Sequence, residues 1–204
     1  MNNKNLSINR YDIVINTVKS EDNYTASVEI IFNIDEQTKE IELDSKGLKI
    51  IKCDFYSESH ENQLSLNFKS KNNKLVINSS SKFEKEENVK LRIEFEGKIA
   101  DDLKGIYASK YLSNSGKEEK LISTQFEPTD ARNAFPCIDE PNYKAKFNLT
   151  LIIHSNLTAI SNMPIEKTKN LNEKETQIKF QETPIMSTYL LFFAIGKIKS
   201  KQLK

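Results

Sequence analysis

Apolar residues recur at every second position between 24 and 34: Tyr24, Ala26, Val28, Ile30, Phe32 and Ile34, with Thr25, Ser27, Glu29 and Asn33 between them. This alternation predicts a strand with one face in a core and the other in solvent. The same pattern appears in Val89-Leu91-Ile93-Phe95, in Leu64-Leu66-Phe68, in Phe147-Leu149-Leu151 and in Ile178-Phe180. Weaker strands are predicted near residues 11–15, 41–43, 48–55, 75–77 and 157–160, and another over 121–126. Polar clusters such as Glu21-Asp22-Asn23, Lys71-Asn72-Asn73 and residues 169–174 punctuate them, so that strand follows strand about every ten residues. The charged run 81–87 reads as one more solvated turn. No stretch carries a sustained helical period, and the pattern predicts an all-β antiparallel sandwich or set of curved sheets. The last apolar run, residues 189–195, loses the alternation. A strand apolar on both faces must be covered on both, inside its own sandwich or by something packed against it.

With 204 residues the chain is long enough for one domain with a substantial core. Its 30 basic and 29 acidic residues leave a net charge of +1, which gives no global field to draw in nucleic acid or anionic lipid. Neither partner is expected. No apolar segment follows the amino-terminal Met1-Asn2-Asn3-Lys4-Asn5, and no window approaches a membrane span, so a cytoplasmic location is expected. In that setting Cys53 and Cys137 are expected as free thiols.

Residues 123–141 stand apart from the strand pattern. Three of the five prolines, Pro128, Pro136 and Pro141, stiffen this one segment. It also holds Arg132, one of only three arginines among the basic residues. A forked guanidinium in so constrained a loop suggests two-point pairing that lysine cannot supply. Thr129 or Asp130 is positioned to cap a short helical turn over Ala131-Arg132.

The usual catalytic signatures are absent: no His-Glu-x-x-His, no glycine-rich phosphate loop and no Gly-x-Ser-x-Gly. His60 and His154 read as surface or edge residues, and nothing near Cys137 in sequence would activate it as a nucleophile. That leaves Gln125 and Glu127, two residues apart at the end of a strand, sharing a face with Phe126 turned to the other. An amide beside a carboxylate offers acceptors to an ammonium group. The competing reading has Glu127 merely pairing with Arg132 or capping the turn after Pro128.

The stretch Thr124-Gln-Phe-Glu-Pro-Thr-Asp-Ala-Arg132, followed by Phe135-Pro-Cys-Ile-Asp-Glu-Pro141, closely resembles the signature of the N-terminal domain of aminopeptidase N-type zinc aminopeptidases. These gluzincins include the archaeal tricorn-interacting aminopeptidases. The likeness continues through Lys144-Ala-Lys-Phe147, Ser161-Asn-Met-Pro164 and residues 183–190, and upstream through Gly105-Ile-Tyr107, Ser109 and Tyr111. It implies a saddle-shaped antiparallel β domain packed over a catalytic domain that follows it. It also implies that Glu127 binds the α-amino group of a peptide substrate, with Gln125 lining the pocket. Arg132, Pro128, Asp130, Pro136, Asp139 and Pro141 belong to the structural motif.

The same resemblance implies a cis peptide bond between Glu127 and Pro128. It places zinc and the general base outside this chain, so residues 1–204 are expected to hold no metal and to hydrolyse nothing alone. The alternative is a stand-alone β-sandwich module that docks a protein partner. Preferred amino-terminal residue and oligomeric state are not legible here. An exposed apolar patch beside Glu127 would favour the enzyme domain, a polar surface the module.

Overall fold

In the computed structural model, residues 5–58 and 66–199 are described. The elements are strands and two short 3₁₀ turns. The strands are β1 (Leu6–Asn16), β2 (Asn23–Ile34), β3 (Thr38–Asp44), β4 (Lys49–Tyr56), β5 (Leu66–Lys71), β6 (Lys74–Phe83), β7 (Glu86–Lys98), β8 (Gly105–Leu112), β9 (Glu118–Gln125), β10 (Lys146–His154), β11 (Thr158–Ser161), β12 (Ile165–Asn170), β13 (Glu175–Phe180) and β14 (Phe193–Gly196). The 3₁₀ turns span Ala131–Asn133 and Thr188–Leu190. His60, Leu64, Ser65 and residues 200–204 lie outside the described residues. No described helix is long and apolar enough to cross a membrane.

Three sheets form: one of seven strands in the order β12-β13-β10-β1-β2-β7-β4, one of four (β11-β14-β9-β8) and one of three (β3-β6-β5). The alternating positions read from the sequence form the buried face of the large sheet: Tyr11, Ile13 and Ile15, then Val28, Ile30 and Phe32, then Leu91, Ile93 and Phe95, then Phe147, Leu149 and Leu151. Ile41, Leu43, Leu75 and Ile77 of the three-stranded sheet, and Ile106, Phe193 and Ile195 of the four-stranded sheet, join them in a single core. The all-β expectation holds.

The structure departs from the sequence reading in four places. The large sheet is not wholly antiparallel, because β1 runs parallel to β10, Tyr11 opposite Phe147 and Ile15 opposite Leu151. The run 189–195 is not a strand covered on both faces. Its first part is the 3₁₀ turn, which leaves Leu190 exposed. Only Phe193–Gly196 is strand, and that part is buried on both faces as expected, while Phe192 just before it is exposed, 36% of its surface open. The charged run 81–87 is mostly strand, with Phe83 fully buried and only Glu84-Lys85 between β6 and β7. Finally, β8 and β12 were not foreseen: every residue of β12 is exposed, so it carries no apolar face to betray it.

Candidate functional site

The proline-rich segment leaves β9 at Gln125 and crosses the core before β10 begins. Its buried side chains Phe126, Ala131, Ala134, Phe135, Cys137 and Ile138 act as a plug between the sheets. Phe135 meets Tyr11 and Phe126 edge-on, with ring centroids 5.9 and 6.1 Å apart. Such pairs add roughly 0.5–1.5 kcal/mol beyond burial alone.

A buried plug must satisfy its backbone polar groups, and side chains from distant strands do so. Tyr24 Oη donates to the Ala134 carbonyl at 2.8 Å, and the Ile138 amide donates to Tyr11 Oη at 3.1 Å. Both phenols are pushed well above their ordinary range by burial. Asp44, at the end of β3, forms an antiparallel bridge with Cys137, giving its N–H to the Cys137 carbonyl at 2.7 Å and taking one back at 3.1 Å.

Arg132 does have the forked role expected of it, and its partners are internal. Nε lies 2.9 Å from Asp139 Oδ2, Nη2 donates to the Asp139 carbonyl at 3.0 Å, and Nη1 lies 3.1 Å from Asp44 Oδ1. Asp139, 1% exposed, also accepts from the Arg132 amide and from Thr188 Oγ1 at 3.0 Å. Ser187 Oγ donates to the Pro141 carbonyl at 2.8 Å. Asp130 does not cap the 3₁₀ turn with its side chain; it accepts instead from Asn133 Nδ2 at 2.8 Å. Gly105, at φ +65°, lets β8 start against Asn133, where a Cβ would sit 2.8 Å from the Asn133 Cβ.

Against this fixed frame Glu127 is exposed, and its carboxylate makes no ion pair among the described residues. It does not pair with Arg132. Phe126 on one side is buried and Pro128 on the other follows a cis peptide bond, as the resemblance implied. The Asp130 amide donates to the Phe126 carbonyl at 2.8 Å, closing a turn around Glu127. Gln125 and Glu127 do lie side by side, but Gln125 Oε1 accepts the Glu127 backbone N–H at 3.0 Å. The amide oxygen therefore braces the backbone that carries the carboxylate.

In the four-stranded sheet, β14 lies next to the strand that ends at Gln125. Ala194 pairs with Ser123, which places Phe192 across from Gln125, and Ile160 pairs with Ala194 on the same face. Ile160 and Phe192, together with Leu190 of the 3₁₀ turn, are exposed. Asn162 and Ser161 fix this rim, the Phe192 amide donating to Asn162 Oδ1 at 2.7 Å and Ser161 Oγ donating to the Phe192 carbonyl at 2.7 Å.

No group of three or more His, Cys, Asp or Glu among the described residues is arranged to hold a metal ion. The described residues therefore do not fit a zinc site. Cys137 is fully buried, and burial beside Asp139 and Asp44 pushes its thiol well above the ordinary range, which leaves it inert. His154 is exposed at the end of β10.

Fold and loop together define an all-β domain in which a buried ionic clamp braces a strand-end loop whose Glu127 carboxylate makes no ion pair among the described residues. The family model described as the peptidase M1 N-terminal domain matches residues 7–190, and the chain belongs to that family. It is 33% identical to glutamyl aminopeptidase of Rattus norvegicus over 94% of this chain and 21% of that protein. It is 36% identical to leucyl aminopeptidase of Saccharolobus solfataricus over 95% of this chain and 22% of that protein. Over 52% of the chain and 12% of the relative it is 49% identical to tricorn protease-interacting factor F2 of Thermoplasma volcanium. The chain thus spans about a fifth of the length of the two aminopeptidases it matches end to end.

Proposed function

We propose that this chain is the substrate-recognition domain of a zinc aminopeptidase, and that Glu127 receives the α-ammonium group of the peptide. The observation that carries this reading is the exposed Glu127 carboxylate, without an ion pair among the described residues, on a segment held by the Arg132, Asp139 and Asp44 clamp. A site of this kind binds by charge and by being held in place beforehand. An ammonium about 4 Å away gains roughly 4 kcal/mol at an effective dielectric near 20, before desolvation is subtracted. Even a fraction of that favours free amino termini over blocked ones.

Zinc and the general base are assigned to a catalytic domain outside these residues, consistent with the share of its relatives that the chain covers. The exposed Ile160, Leu190 and Phe192, on β11 and just ahead of β14, supply apolar surface for that domain to cover. This favours the enzyme-domain reading over a stand-alone module, for which a polar surface was expected.

The test is Glu127→Gln in the full-length enzyme, assayed on aminoacyl arylamides. The expected result is a KM raised by about one to two powers of ten with zinc content unchanged. Equal turnover by variant and parent overturns the assignment.

A further inference from the structure

Asp44 and Asp139 are buried carboxylates, 2% and 1% exposed, and Arg132 divides itself between them. One guanidinium cannot neutralise two carboxylates. The second cation comes from Lys74, on the same three-stranded sheet as Asp44. Lys74 opens β6 directly across from Asp44 on β3, and its Nζ lies 2.9 Å from Asp44 Oδ1 and 3.4 Å from Glu42 Oε1. The hairpin turn before it, with Asn72 and Asn73 both at positive φ, is fastened by the Ser45 amide donating to the Asn73 carbonyl at 2.9 Å. Asp44 Oδ1 is thus shared between Lys74 and Arg132, while Asp44 Oδ2 accepts the Asp139 N–H at 2.9 Å.

The charged groups facing one another here are Glu42, Asp44 and Asp139 against Lys74 and Arg132, a balance of one negative charge. Without Lys74, three carboxylates face a single guanidinium. Asp44 then competes with Asp139 for Arg132, because an uncompensated buried carboxylate is costly. Drawing Arg132 toward Asp44 loosens its grip on Asp139 and pulls on the turn that begins at Ala131. That turn is joined to Phe126 by the Asp130 amide, with Glu127 inside the closed ring.

We infer that Lys74 is a positioning residue for the Glu127 carboxylate, acting through Asp44 and Arg132, so that a lysine on the three-stranded sheet sets how tightly the peptide amino terminus is held. This rests on the reading of Glu127 given above. A displacement of about 1 Å at a binding group is enough to cost up to a hundredfold.

The test uses the full-length enzyme and an aminoacyl arylamide. Lys74→Met is expected to raise KM about five- to tenfold while kcat and zinc content stay within about twofold. Lys74→Arg stays near the parent KM, and adding Asp44→Asn to Lys74→Met lowers the raised KM again by removing the uncompensated charge. Lys74→Gln, which drops the charge and keeps a polar side chain, carries the same expected rise in KM if Lys74→Met fails to fold. In a Glu127→Gln background, Lys74→Met adds no further rise in KM, because both act through one carboxylate. A parent KM for Lys74→Met, no recovery in the Asp44→Asn double variant, or losses that add fully to those of Glu127→Gln overturns the inference. If Glu127→Gln raises KM while Lys74→Met does not, only the role of Lys74 falls; if Glu127→Gln itself leaves KM unchanged, both readings fall.

Discussion

Arg132 and Asp139 hold each other at two points, Nε to the carboxylate at 2.9 Å and Nη2 to the carbonyl at 3.0 Å, so the loop between them is closed by its own ends. The third guanidinium contact, to Asp44, ties that closed loop to β3. Sequence-local and long-range order therefore meet in one planar side chain.

Lysine in its place keeps the charge and loses the fork. Arg132→Lys is expected to reach one carboxylate and abandon the other, costing about 1.5–3 kcal/mol, and Arg132→Ala about 3–5 kcal/mol. The midpoint of urea unfolding measures both. An Arg132→Lys protein within about 0.5 kcal/mol of the parent would show that the two-point geometry is dispensable.

Gly97, on β7 across from Tyr24, lies directly beneath the Tyr24 ring, and a methyl group there would run into the ring. That ring cannot retreat freely, since its hydroxyl is bound to the Ala134 carbonyl and its edge packs on Phe95. Gly97→Ala is expected to destabilise the protein by about 2–3 kcal/mol despite the better strand propensity of alanine. Differential scanning calorimetry checks this, and an unchanged or raised Tm contradicts it.

Cys53 and Cys137 are both free, as the sequence reading expected, and the structure buries both. Burial pushes the Cys53 thiol up to about 12 and Cys137 further from its ordinary range. The thiolate is the reactive species. At pH 8 the Cys53 thiolate fraction is roughly a thousandfold below that of an ordinary cysteine, so alkylation by iodoacetamide should be slow until the chain is unfolded. The linkage has one sign for these thiols and for the buried Tyr11 and Tyr24 phenols. Because their folded values are raised, the stability they confer is full below the ordinary value and declines as the pH rises above about 9 to 10. Rapid labelling of the native protein at pH 8 would contradict the burial of both thiols.

Strands with one apolar and one polar face were legible because the period of two survives any tertiary context: Tyr24 to Phe32 and Val89 to Phe95 sit in the core as their alternation requires. The same logic hides β12, whose residues are all exposed. It also misread 189–195, where apolar Leu190 and Phe192 face outward. The segment 123–141 announced itself by its prolines and its lone arginine. Its partners did not. Asp44, Lys74 and Thr188 come from far along the chain, and nothing local in β3, β6 or the second 3₁₀ turn marks them as halves of ion pairs or hydrogen bonds with Arg132 and Asp139. The parallel neighbour of β1 was illegible for the same reason, since alternation gives a strand its face and says nothing of which strand lies beside it.

The place of β1 between β2 and β10 bears on how a nascent chain matures. One flank of β1 is matched by the next strand to leave the ribosome, but the other waits until residue 146 has been made. Through that interval the growing polypeptide carries an open row of amides and carbonyls beside Tyr11, Ile13 and Ile15, a template on which neighbouring chains can aggregate.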